Sequence, residues 1–266
     1  MIYFIESIPA GGKSYYARKT LNQLGGDAIL YKEEYYNPID VFRQALLTEN
    51  EYSALLKSVQ VTLPMEDVKK IISEFENGIS QMDRFLFLPY MHASQSKIYI
   101  SKYLPYLYQK EICDGQIHYS TYFEIILNRI RKFIQSKDSN KNYIFEGAIL
   151  HNPLITILGE YSLSEDMILS FYWDVYKILR DEDYVFRYIN VENVRQCVLY
   201  ANQKRSNASE YNWMAGFDWW FKHSKNYSNY RGIEGIIAFS NSIKEIEEKI
   251  LYQIPFEITK IERRIV

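Results

Sequence analysis

The sequence predicts an α/β protein in three layers, with a mostly parallel sheet of five strands and helices on both sides. Three observations lead there. The chain opens on the short apolar run MIYFIE, which passes through the small-residue loop SIPAGGKS into a helical segment. DAILYKEE follows as a second strand, so strand and helix alternate from the start. Three further β-favouring runs, NYIFEGAIL, YVFRYINV and FEITKIE, come later, separated by segments with apolar residues at helical spacing.

Taken in order, MIYFIE ends where the loop begins. YYARKTLNQLGG then places Tyr16, Leu21 and Leu24 near helical spacing, and Gly25-Gly26 stops the helix. After the second strand the character changes. IDVFRQALLTENEYSALLKSV, MEDVKKIISEFENGISQMDRF and YSTYFEIILNRIRKFIQSK all carry apolar residues at helical spacing, and LPYMHASQSKIYISKYLPYLYQKE reads as helix and loop interrupted by Pro89 and Pro105. Residues 35–140 are therefore expected to form a large helical insertion between strands 2 and 3, a cap over a substrate site. The core is expected at 1–34 and 141–266, within one domain spanning 1–266. SKDSNKN is a polar loop, LSEDMILSFYWDVYKILRD a helix, and NVRQCVLYANQKRS and NWMAGFDWWFKHSKNY a helical lid over about 192–231. IEGIIAFSNSIKEIEEKILYQI is a long amphipathic helix before the last strand.

The 266 residues suffice for a sizeable core. With 31 basic and 33 acidic residues, a broad nucleic-acid or anionic-membrane surface is not expected, although a local phosphate site is compatible with this balance. Aromatic residues reach 16%, which carries no functional reading of its own. Cys113 and Cys197 fit no zinc or redox spacing. There is no basic-then-apolar leader and no apolar run long enough to span a bilayer, so a soluble, cytoplasmic protein is expected.

Residues 7–14 match G-x-x-x-x-G-K-[ST] with Ser7 in the first place. In such a loop, backbone N–H groups and a helix N-terminus present positive charge to phosphates. Ser7, Ile8, Pro9, Ala10, Gly11, Gly12, Lys13, Ser14 and Tyr15 are the expected phosphate contacts, with Lys13 reaching the β and γ phosphates and Ser14 ligating Mg²⁺. At negative φ a serine in place of the first glycine costs little, and at positive φ on the order of 1 kcal/mol. Ser7 is read either as a tolerated substitution or as a sign of a decayed loop, with its hydroxyl donating to a phosphate or to its own loop.

Four features together resemble P-loop NTPases of the nucleoside- and small-molecule-kinase type, closest to thymidylate-kinase-like P-loop proteins. They are IESIPAGGKS after the first strand, the acidic YKEE after the second, YIFEG as the third, and the basic helix VRQCVLYANQKRS after the fourth. The resemblance covers the strand framework over most of the chain. It departs at Ser7, and Gly147 stands where nucleoside kinases place an arginine after the third-strand acid. It implies the strand order 2-3-1-4-5. It also implies that Glu146 handles Mg²⁺ or its water, and that Glu33 or Glu34 takes the proton from a substrate hydroxyl. Alternation sends Glu33 and Glu34 to opposite faces, so at most one points into the cleft; Glu34 and Asp40 are alternatives for binding substrate. Arg205, with Arg195 and Lys204, would close over the γ-phosphate as a lid. A second basic group, Lys222, His223, Lys225 and Arg231, extends that lid or lies on the surface, and His92, His118 and His151 show no metal spacing.

The activity expected is an ATP- and Mg²⁺-dependent phosphotransferase acting on a small-molecule hydroxyl. The alternatives are a nucleotide-binding regulatory or assembly protein and an NTPase coupled to a partner. The ligands are a nucleoside triphosphate, ATP or GTP, and a small-molecule acceptor, with neither nucleic acid nor membrane and with a homodimer left open.

Overall fold

A computed structural model describes residues 1–33, 36–62, 68–69, 80–82, 85–89, 106–114, 117–206 and 213–263. In chain order the elements are β1 (Ile2–Glu6), α1 (Lys13–Leu24), β2 (Ala28–Tyr31), β3 (Gln44–Thr48), α2 (Glu49–Thr62), β4 (Ser80–Met82) and β5 (Phe85–Pro89). Then come α3 (Tyr119–Ser136), β6 (Asn142–Glu146), α4 (His151–Glu160), α5 (Glu165–Leu179), β7 (Tyr184–Asn190), α6 (Val194–Ser206), α7 (Trp213–His223), α8 (Gly232–Gln253) and β8 (Ile258–Glu262).

The main sheet has five strands in the order β2-β6-β1-β7-β8, and every pairing in it is parallel. Counted among these strands alone the order is 2-3-1-4-5. In whole-chain numbering it differs, because three strands of a second sheet intervene. The central strand β1 is buried along its whole length, as a parallel strand covered on both faces must be. Alternation divides its side chains. Tyr3 and Ile5 pack with Ala17 of α1, Ile144 and Ile189, while Phe4 stacks on Phe145 at 5.8 Å and tilts against Phe186 at 5.6 Å. Phe133 of α3 meets Phe145 edge-on from that second side. Each such ring contributes roughly 1.5–3 kcal/mol by burial. The edge strand β8 alternates towards solvent, with Thr259, Lys260 and Glu262 exposed, which suits an unpaired edge.

The chain divides into two compact units, one of 1–33, 38–40 and 119–266 and one of 34–37 and 41–118. The second unit ends at 118, whereas the insertion was expected to run to about 140. Helix α3 belongs with the main sheet because its buried stripe, Tyr122, Ile125, Ile126, Ile130 and Phe133, packs there.

The expectation of an all-helical insertion is also corrected. The second unit holds an antiparallel sheet of three strands, β3-β5-β4. Residues 44–48 were expected to be helical with 49–59, but the helix starts at Glu49. Thr48 and Glu51 form a capping box: Glu51 Oε2 accepts from Thr48 N at 2.8 Å, and Glu51 N donates to Thr48 Oγ1 at 3.3 Å. Ala45 and Leu47 then share one buried face of a strand with the period of two that so short an apolar run cannot distinguish from a helical turn. Residues 80–82 and 85–89 pair as strands where helix was expected.

No helix among the described residues is long and apolar enough to cross a membrane.

Candidate phosphate-loop site

The loop 7–14 lies between the carboxyl end of β1 and the head of α1. Gly12 caps α1 at φ 97° with no side-chain cap. Tyr15 N and Tyr16 N both donate to Gly12 O, while the earlier N–H groups of a first turn have no acceptor within their helix. Ala10 also sits in the left-handed region, at φ 63°. Its carbonyl accepts from Cys197 Sγ at 3.3 Å and from Arg263 Nη1. Ile8 O accepts from Gly11 N at 3.0 Å, which closes the turn. Ile8 and Pro9 are buried, and Tyr15 points outward at 64% exposure.

Ser7 is fully buried and its φ is not positive, so the serine carries no left-handed strain. Its hydroxyl donates to Ile189 O of β7 at 2.8 Å. This bond ties the loop to the neighbouring strand. A Cβ on Gly11 would fall 1.8 Å from Ser7 Oγ. The serine side chain therefore fills the space that only a glycine at 11 leaves open.

Lys13 is 5% exposed and folds over the loop, its Nζ donating to Ser7 O at 3.3 Å and Ile8 O at 3.4 Å. Gly147, at φ 69°, lets it pass: a Cβ there would meet Lys13 Cε at 3.1 Å. Residue 147 thus lines the lysine's path, and an arginine there would be strained by its backbone alone.

Carboxylates from three strand ends surround this lysine. Glu33, after β2, places Oε2 3.8 Å from Lys13 Nζ and Oε1 3.5 Å from His151 Nε2. Burial alone would raise its pKa, but the charge of Lys13 and the interaction with His151 outweigh burial and bring it down to about 2. Glu146, ending β6, accepts from Ser14 Oγ. Burial and the nearby charge of Glu33 push its carboxyl upward. Glu6, ending β1, is fully buried and accepts from Ile149 N at 2.8 Å and His151 N at 3.1 Å at the head of α4. Burial raises it to about 7 against the pull of those N–H groups and Lys13.

His151, expected to lie in the core or at the surface, is buried within this cluster. Burial, then Lys13, lowers its pKa, which favours the neutral ring. Its Nδ1 makes no hydrogen bond among the described residues. Asp40 is buried and held by Asn152 Nδ2 at 2.5 Å and by Arg129 through its carbonyl. Glu34 and His92 lie outside the described residues.

The expected lid cations diverge. Arg195 forms an exposed pair with Glu234 of α8, at 2.9 and 2.5 Å. Lys204 lies 5.5 Å from the Tyr200 ring. Arg205 lies 4.6 Å from the Trp213 ring and still contributes positive potential at Glu33. Trp220 is half-buried: a Cβ on Gly159 would come within 2.5 Å of it, and it packs on Phe239 at 4.9 Å.

Compared with known protein families the chain matches no family model, and no curated protein matches it. The geometry therefore stands alone. Among the described residues no group of three or more His, Cys, Asp or Glu side chains is arranged to hold a metal ion. The bonded Ser14–Glu146 pair does fit a hard cation that takes its remaining ligands from phosphates and water.

Two contributors were missed by sequence reasoning. Glu6 was read as a strand residue, although an acid directly before the loop was visible. Arg263 reaches Ala10 across 253 positions, and nothing local announces it.

Proposed function

We propose that this chain binds a nucleoside triphosphate with Mg²⁺ at residues 7–14 and transfers the γ-phosphoryl group to a hydroxyl of a small molecule. The observation that carries this reading is the convergence of Lys13, the Ser14–Glu146 pair and Glu33 at the carboxyl end of one parallel sheet, where such sheets bind ligands. Lys13 and the loop N–H groups would hold the phosphates. Ser14 and Glu146 would hold Mg²⁺, which supplies neutralising charge to the phosphate oxygens. Glu33 would accept the acceptor's hydroxyl proton as the new O–P bond forms and the bond to the β-phosphate oxygen breaks. Arg205 would add positive potential from the lid.

Binding without transfer is a second reading, and the low pKa of Glu33 favours it, because a carboxylate near 2 is a weak base at neutral pH. Much of that depression comes from Lys13. Drawing the lysine's charge onto phosphates would relieve it.

The test is γ-phosphate transfer from Mg·ATP to a metabolite library, for the native chain and for Lys13→Ala. Transfer by the native chain and its loss in the variant support a kinase. Tight ATP binding with neither transfer nor hydrolysis supports the second reading, and hydrolysis without an acceptor product identifies an NTPase.

A further inference from the structure

Glu33 is met from two directions, and its two partners differ in how firmly they are held. Lys13 Nζ stands 3.8 Å from Oε2, at the end of a flexible stem. His151 Nε2 stands 3.5 Å from Oε1, on a buried ring. The turn that carries this ring is fastened at three points. Glu6 accepts the N–H groups of Ile149 and His151. Tyr172 Oη donates to Ile149 O at 3.1 Å, and Asn152 Nδ2 donates to Asp40 Oδ2 at 2.5 Å. Gly147 leaves both partners a path to the acid: a Cβ there would lie 3.4 Å from His151 Cβ and 3.1 Å from Lys13 Cε.

Phosphate binding separates the two partners. A nucleotide at residues 7–14 draws Lys13 onto its oxygens and frees Oε2 of Glu33, while Oε1 keeps the imidazole. Burial and the charge of Lys13 favour the neutral ring. A neutral ring with its proton on Nε2 donates to Oε1 without adding a charge that would weaken the base. Contacts of this length tighten when substrate binds.

We propose that His151 is a positioning residue for the base: its Nε2–H holds Glu33 Oε1, so that Oε2, released by Lys13, faces the acceptor hydroxyl. This rests on reading residues 7–14 as the nucleotide cradle and Glu33 as the base. In the step it serves, the hydroxyl proton passes to Oε2 and the new O–P bond forms. The bond from the γ-phosphorus to the β-phosphate oxygen breaks, and ADP leaves. Without the imidazole the carboxylate turns about its own torsions, and misplacement by about 1 Å costs on the order of 100-fold in rate.

The experiment measures turnover of Mg·ATP, as phosphate released to water or transferred to an acceptor, by the native chain, His151→Leu and His151→Gln. Leucine donates nothing. Glutamine places an amide N–H near the position of Nε2 and does not titrate. His151→Leu is expected to lose roughly 100-fold in kcat with KM for ATP changed less than about 3-fold, and His151→Gln to stay within about 5-fold of the native rate. A leucine variant at the native rate, or a glutamine variant as slow as leucine, overturns the proposal. Should His151→Leu not fold, judged by thermal melting, His151→Phe keeps a ring without a donor and takes its place. Carbon NMR of labelled glutamate gives a second readout that needs no turnover: Glu33 should titrate higher in the variant that lacks the donor, and an unmoved Glu33 overturns the contact. A native chain that binds Mg·ATP and turns none over removes Glu33 as a base, and the proposal with it, while the cradle stands. A native chain that binds no Mg·ATP fails the underlying reading itself.

Discussion

Glu6, beneath the loop, and Glu33, beside it, both lie within the field of Lys13, yet burial carries Glu6 up to about 7 while Glu33 falls to about 2. The floor under the loop continues in the same neutral sense. Glu247 of α8 is fully buried and accepts from Tyr188 Oη at 2.9 Å, and burial raises it to about 8. The rim differs because its carboxylate has both oxygens opposite cationic or donor groups, Lys13 and His151, and is a quarter exposed. A carboxylate stays charged where a partner offsets its desolvation and takes up a proton where none does. The rim is thus electrostatically poised for a charged ligand, and the floor is a hydrogen-bonded support.

The sharpest way to break this contrast is Lys13→Ala. Losing one partner of a charge pair costs about 2–5 kcal/mol, so Mg·ATP affinity should fall roughly 30- to 4,000-fold. Glu33 should also rise from about 2 toward the values of the floor, as read by carbon NMR of labelled glutamate. A Glu33 that stayed near 2 in that variant would show that its charge is not set by the lysine.

The floor is tested next by Glu247→Gln. With a folded pKa raised from 4.5 to about 8, Glu247 favours folding fully below pH 4.5, and that advantage is lost as pH rises through 8. Replacing it should remove a penalty on the order of 3–5 kcal/mol at pH 9 and flatten the decline in stability between pH 5 and 9, measured by denaturant unfolding. A variant less stable than the native chain at pH 9 would count against a neutral floor.

For Glu33→Gln the sign is opposite. Its folded pKa is depressed from 4.5 to about 2, so its contribution is present above 4.5 and is lost as pH falls toward 2. The variant should be about 2 kcal/mol less stable at pH 7, after allowance for solvent screening, and equal to the native chain near pH 2. It should bind Mg·ATP no more weakly, since Lys13 is released, while phosphoryl transfer is lost. Undiminished transfer would exclude Glu33 as the base.

The smallest effect is expected for Ser7→Gly, which removes one hydrogen bond to Ile189 O. A loss of about 1 kcal/mol in stability and less than about 3-fold change in ATP affinity is expected. Gain of tenfold or more in affinity would show that the serine holds the loop in an impaired shape.

The strand framework and the loop were legible because each is written locally. MIYFI is a continuous apolar run, as a central parallel strand requires, and Gly12 and Lys13 carry a turn and a charge that few alternatives satisfy. The second unit was less legible. Residues 45–47 are a short apolar run whose neighbours supply helical spacing, and the Thr48–Glu51 cap that follows it is a short polar signal. Among the lid cations, residue type did not indicate direction: Arg195 and Arg205 share a helix, yet Glu234 holds one while the Trp213 ring lies beside the other.

By itself, then, the sequence determined the alternation of strands and helices and the chemistry available at 7–14, because backbone preference and side-chain type act over a few residues. Tertiary structure alone decided which charges meet. It brought Glu33 to His151 and Arg263 to Ala10, and it moved the pKa values of Glu6 and Glu33 in opposite directions. A pKa depends on burial and on neighbours within a few ångströms, and folding assembles those neighbours from distant parts of the chain.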